Sequence, residues 1–133
     1  MTNQLVLGLG IALLAGGSAL AQVMTFHVPF PFQAEKSMLP AGEYTVDTSI
    51  NPHVVHVRSA DFKSAAMLLS HSIESRKTST RGTLVFNRYG DTYFLSQVWK
   101  PGTNTGRTLR KSKREIELAS NLRSGQQTLL TLK

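Results

Sequence analysis

The stretch LVFNRYGDTYFLSQVW, residues 84–99, decides the fold. Two apolar, aromatic-rich runs flank Gly90-Asp91, and a two-residue loop opening on glycine between such runs signals a β-hairpin. With Gly90 and Asp91 as the loop, Tyr89 faces Thr92, Asn87 faces Phe94 and Phe86 faces Leu95. Strand alternation then puts Leu84, Phe86, Tyr93, Leu95 and Trp99 on one face, and Val85, Tyr89, Phe94 and Val98 on the other. Both faces are apolar. One must line a core, and the other must be covered by the proline-rich segment upstream, by a terminal helix or by a partner. Aromatic residues at strand spacing usually pack inside. Tyr89, Tyr93 and Trp99 therefore read as hairpin residues before they read as a stacking platform for sugars or bases. Arg88 and Asp91 read as a cross-turn ion pair.

Working outward, VMTFHVPFPF (23–32) is β-prone, but Pro29 and Pro31 cannot donate ladder hydrogen bonds, which predicts an edge strand or an extended arm. In LPAGEYTVDTS, Pro40 to Gly42 form a turn before an extended segment. HVVHVRS and SAAMLLSHS pair across ADFK as a second hairpin, and ESRKTSTRG (74–82) reads as a polar loop. Downstream, KPGTNTGRTLRKSKR (100–114) holds six basic residues and no acid, with Pro-Gly and Thr-Asn-Thr-Gly predicting a loop. Ser112 and Glu115 have capping-box spacing, which predicts a short helix from Lys113. Ile116 and Leu118 also alternate as a strand would. The cap signal is independent of periodicity and decides for helix over 113–122.

Strands are thus expected near 24–29, 43–49, 53–58, 64–71, 83–89, 92–99 and 127–132. The fold class is mainly β: a small antiparallel sheet or barrel-like sandwich of about 6–7 strands with one short C-terminal helix.

Residues 5–15, LVLGLGIALLA, form an apolar run of signal-peptide length, and Ala19 and Ala21 supply the small residues of a cleavage site before Gln22. The run is short for a membrane span of about 20 residues. The chain accordingly divides into a signal peptide, 1–21, and a single β-rich domain, 22–133, exported to a periplasmic or extracellular location without a mature transmembrane segment. A domain of this length barely accommodates an eight-stranded transmembrane barrel of strands about 9–11 residues long. The absence of cysteine excludes disulfides, thiol nucleophiles and thiolate ligands, and suits a bacterial envelope better than a disulfide-rich extracellular module.

The segments HVPFPF, LPAGEYTV, LVFNRYGDTYFLSQVW and KSKREIELA, in this order behind an apolar leader, resemble a family of small, exported, functionally uncharacterised β-rich proteins of soil bacteria. The resemblance is carried most specifically by LPAGEY and the hairpin. It implies export and a small β-rich fold, and it implies no catalytic or binding residue.

Sites of chemistry are not indicated. His53 and His56 stand three apart, which in a strand sends them to opposite faces, so no metal site is expected. Ser70, His71 and Asp61 lack a nucleophile-elbow context, and the eight acids are scattered, so no catalytic residue and no cofactor is expected. What remains is charge: fifteen basic against eight acidic residues, net +7. Lys100, Arg107, Arg110, Lys111, Lys113 and Arg114 are the candidate binding patch for an anionic polymer, without specific nucleic-acid recognition. The same charges also suit a solvated face that keeps a small protein soluble.

Two functions compete. The first is a structural or interaction protein of the cell envelope, docking through the apolar hairpin 83–99 onto itself or an envelope partner. The alternative is a non-enzymatic binding module for an anionic or amphiphilic ligand, such as a polysaccharide or a lipid. The export reading is directly testable: N-terminal sequencing of the protein recovered outside the cytoplasm should begin at Gln22, and recovery of Met1 or Thr2 would contradict it.

Overall fold

The computed structural model describes residues 23–121 and 126–131, with Ser79 and 126–131 described by backbone alone. The expected signal peptide, 1–21, and its expected cleavage site lie outside the described residues. Among the described residues ten strands and one helix follow one another: β1 (Val23–Val28), β2 (Phe32–Ala34), β3 (Ser37–Leu39), β4 (Gly42–Asn51), β5 (Val54–Ser59), β6 (Ala65–Ser79), β7 (Thr83–Tyr89), β8 (Thr92–Trp99), β9 (Thr103–Leu109), α1 (Lys113–Asn121) and β10 (Gln126–Thr131). Among the described residues the fold is mainly β with one short helix, as expected, but the strand count exceeds the expected 6–7.

Three strands account for the excess. β2 and β3 form a small hairpin around Glu35-Lys36, where neither turn residue is glycine or asparagine. β9 occupies the segment read as a basic loop. Its Thr103, Thr105 and Thr108 are β-branched, and Pro101-Gly102, with Gly102 at φ 74°, supplies the turn that returns it onto β8. The polar stretch 74–82 is likewise mostly strand, because β6 runs on for 15 residues and pairs with β9. In both cases partner strands, rather than local hydrophobicity, hold the segment extended.

β6 is the hinge of the architecture. Its first third pairs with β5, in the half-sheet β1–β4–β5–β6, and its remainder pairs with β9, in the half-sheet β6–β9–β8–β7–β10. The sheet curls until its edge strands β1 and β10 approach one another without pairing. Inward-facing residues of both halves make one core. Met24, Phe26, Val28, Tyr44, Val46, Val55, Val57 and Leu68 come from the first half, and Leu84, Phe86, Leu95 and Val98 from the second. Burying each such side chain contributes roughly 1.5–3 kcal/mol relative to leaving it exposed. The proline-rich segment closes one end. β1 stops at Val28, Pro29 and Pro31 face solvent, and Phe30 and Phe32 turn inward. Phe30 stacks on Tyr93 at 3.7 Å, and Phe32 meets Tyr44 and Phe86 edge-on at 5.1 and 5.4 Å.

The 84–99 stretch is a hairpin with the expected turn. Gly90 has φ 63° and Asp91 a negative φ, the type II′ pattern, and Tyr89–Thr92, Asn87–Phe94 and Phe86–Leu95 are partners. A β-bulge then shifts the register, opposing Val85 to Gln97 and Leu84 to Val98. The expected faces are corrected beyond that point: Val98 joins Leu84 in the core, and Trp99 moves to the Val85 side. There the Trp99 ring lies across Gly106 of β9, where an added Cβ would sit 2.6 Å from the ring. Arg88 donates its Nε–H to the Gly90 carbonyl at 2.7 Å and lies over the Tyr93 ring, in place of the cross-turn pair with Asp91.

On the hairpin's other face, α1 is joined to β7 through Glu115. Ser112 Oγ accepts the Glu115 amide at 3.1 Å, which is the expected cap. The Glu115 carboxylate turns to the hairpin and accepts hydrogen bonds from Asn87 Nδ2 and the Tyr89 hydroxyl, both at 2.9 Å. Val85, Tyr89 and Phe94 are buried, while Tyr93 and Trp99 of the same hairpin are half-buried.

Replacing Glu115 with Ala should cost on the order of 3 kcal/mol in denaturant unfolding, since both donors lose a charged acceptor. Burial, and then the hydrogen bond and charge of Glu115, push Tyr89 up to about 12 from 10.0. The raised value means that Tyr89 stabilises the fold fully below pH 10 and that this contribution disappears as pH rises toward 12. The stability of Tyr89→Phe should fall less steeply than that of the native protein across that window.

Candidate functional site

The basic residues of 100–114 do not act as one patch. Lys100 sits in the β8–β9 turn, where its carbonyl accepts from Thr103 Oγ1 at 3.3 Å. Ser79 pairs with Thr103, so Arg76, Lys77 and Arg81 belong to this same end of the sheet. Arg107 lies in mid-β9 and is committed to structure. Its Nε donates to Ser70 Oγ at 2.9 Å, one terminal nitrogen to Ser72 Oγ at 2.6 Å and the other to the Ser70 carbonyl at 3.1 Å. These bonds fasten β9 to β6.

Arg110, Lys111, Lys113 and Arg114 gather at the opposite end of β9, around a cleft of about 540 Å³. The cleft follows from the strand pairing. β9 pairs with β8 only along Gln97–Trp99, and at Phe94 the edge of β8 is taken by Gln33 of β2 in parallel. The β2–β3 hairpin therefore occupies the place that an extended β9 would fill, and the chain parts from it after Leu109. Gln33, Glu35 and Lys36 form one wall, Arg110 to Arg114 the other, and Leu69 of β6 reaches the rim.

Lys36 was not among the sequence candidates. Its signal was the pair of short β-prone runs FQA and SML around Glu35-Lys36. The turn is costly for its residues: Glu35 has φ 58°, a conformation that non-glycine residues adopt rarely.

Five cations and one carboxylate, Glu35, line the cleft. Lys113 and Arg114 occupy the first turn of α1, where the helix macrodipole is positive and disfavours them by about 0.3–1 kcal/mol each. An anion seated there relieves both their mutual repulsion and that of the dipole.

The other candidates stay apart. Ser70 is buried and held by Arg107 and by the His53 carbonyl, whereas His71, the next residue along β6, faces solvent. Asp61 lies in the β5–β6 loop, and the Ser59 hydroxyl, then the Lys63 amide, hold its carboxyl below the usual range. Among the described residues, no three of the His, Asp and Glu side chains come together as a metal site. Tyr89 faces α1 while Tyr93 faces Phe30, so the hairpin aromatics form no common platform. Among the described residues no helix is long and apolar enough to cross a membrane.

Compared with protein-family models, with curated proteins and with solved structures, the chain matches none.

Proposed function

We propose that this chain is an exported, non-enzymatic binding module that takes an anionic ligand in the cleft between the β2–β3 turn and the start of α1. The observation that carries the reading is the convergence of Lys36, Arg110, Lys111, Lys113 and Arg114, from two separate segments, on one concave surface with a single carboxylate. Distributed solvating charge has no reason to converge in this way. The envelope-docking alternative rests on the hairpin 83–99, of which Leu84, Val85, Phe86, Tyr89, Phe94, Leu95 and Val98 are buried.

Binding of this kind is delocalised attraction: each cation contributes modestly, and affinity falls steeply with salt as counterions are released. Lys100 and Arg107 drop out of the binding set. Lys100 is at the far end of β9, and Arg107 works within the sheet.

Retention on immobilised heparin tests the reading. The native protein should be retained at physiological salt. Changing Arg110, Lys111, Lys113 and Arg114 to Ala together should abolish retention while leaving the unfolding midpoint nearly unchanged, because all four are exposed. Arg107→Ala should instead lower stability by about 1.5–3 kcal/mol and leave most retention intact. Equal retention of the native and fourfold variants would refute the assignment.

A further inference from the structure

The outer face of the β1–β4–β5–β6 half-sheet carries an apolar row that the core does not use. The alternation that turns Leu68 and Ser70 inward turns Met67 and Leu69 outward, where they are 68% and 52% exposed. Val54 pairs with Leu69 across the ladder, and Ile50, 67% exposed, stands beside them at the end of β4. Together they line a shallow groove of about 390 Å³. Toward β1 the row gives way to His56, the partner of Met67, and then to Asp47, the partner of His56. At its other end Leu69 lines both the groove and the basic cleft, so the apolar row and the five cations are one continuous surface.

We propose that this composite surface docks on a bilayer containing anionic phospholipid, with lipid phosphates in the cleft and Ile50, Met67 and Leu69 entering the interface. The proposal rests on the anionic-ligand reading of the cleft and names the source of the anion. Charge complementarity selects this occupant: a second copy of the chain would bring a net charge of +7 against the same cations. Exposed aliphatic residues add nothing to binding a hydrated polyanion, whereas apolar insertion beside cations is the combination that interfacial binding requires. The groove is also too open to withdraw a lipid tail, since a ligand pocket buries about 70–90% of its ligand. A tail that stays in the bilayer avoids that requirement.

The test is flotation of the full chain with vesicles of phosphatidylcholine alone or mixed with phosphatidylglycerol. All variants retain residues 1–22, so any binding through the apolar N-terminal segment is common to every sample. The native protein should bind the phosphatidylglycerol vesicles in clear preference. Ile50→Ser with Met67→Ser should weaken that binding about tenfold, while heparin retention stays at the native level, because neither residue lines the cleft. Lys111→Ala with Arg114→Ala should weaken vesicle binding on the order of thirtyfold and should also reduce heparin retention.

Three outcomes overturn the proposal. In the first, the Ile50/Met67 variant binds the anionic vesicles as the native protein does, which makes binding purely electrostatic. In the second, the native protein binds both vesicle types equally. In the third, it ignores vesicles and forms a dimer that the Ile50/Met67 substitutions dissolve, which assigns the row to a second copy. Heparin retention that persists through any of these leaves the anionic-ligand reading standing, and its loss removes both.

Discussion

The Glu115 carboxylate, shut between α1 and the hairpin, is the contact on which the rest of the arrangement depends. A buried charge is tolerated only where hydrogen-bond donors replace the water it has lost. Asn87 and Tyr89 are those donors, two residues apart on one face of β7. Their spacing fixes where the first turn of α1 lies, because Ser112 caps the same turn at the Glu115 amide. Once that turn is fixed, two consequences follow. The Tyr89 hydroxyl is held against the helix, and the side chains just before Glu115, Lys113 and Arg114, are delivered to the wall of the cleft.

The second constraint is competition for the edge of β8. A strand edge has a limited number of donors and acceptors, and β9 and β2 divide them between Gln97–Trp99 and Phe94. The cleft is the gap this division leaves. It also separates basic residues adjacent in sequence into different physical roles. Arg107, before the divergence, spends its guanidinium on three acceptors of β6, while Arg110 and Lys111, after it, remain exposed. A basic run of sequence is thus partly framework and partly surface, and only pairing partners distinguish the two.

The legible parts of the sequence were those governed by local rules. Gly90-Asp91 specified its own turn, alternation around it gave the register as far as Phe86, and Ser112-x-x-Glu115 announced the helix start. Beyond local rules the reading failed in consistent ways. The bulge that returns Val98 to the core follows from how β8 packs, and nothing in FLSQV marks it. β9 and the outer part of β6 are polar, threonine- and charge-rich strands that stay extended because they pair with each other. Lys36 entered the site only because a short hairpin with an unfavourable Glu35-Lys36 turn is wedged against β8. Four of the six basic candidates do meet at the cleft, whereas Lys100 was carried away by the length of β9 and Arg107 was taken up by β6.

The most direct test of the central claim, that the cleft rather than the basic surface at large receives the anion, is amide chemical-shift mapping with a short heparin-derived oligosaccharide. Perturbations should concentrate at Gln33 to Lys36 and Arg110 to Arg114, the two walls of the cleft. Perturbations of equal size around Arg76, Lys77 and Lys100, at the far end of β9, would contradict it.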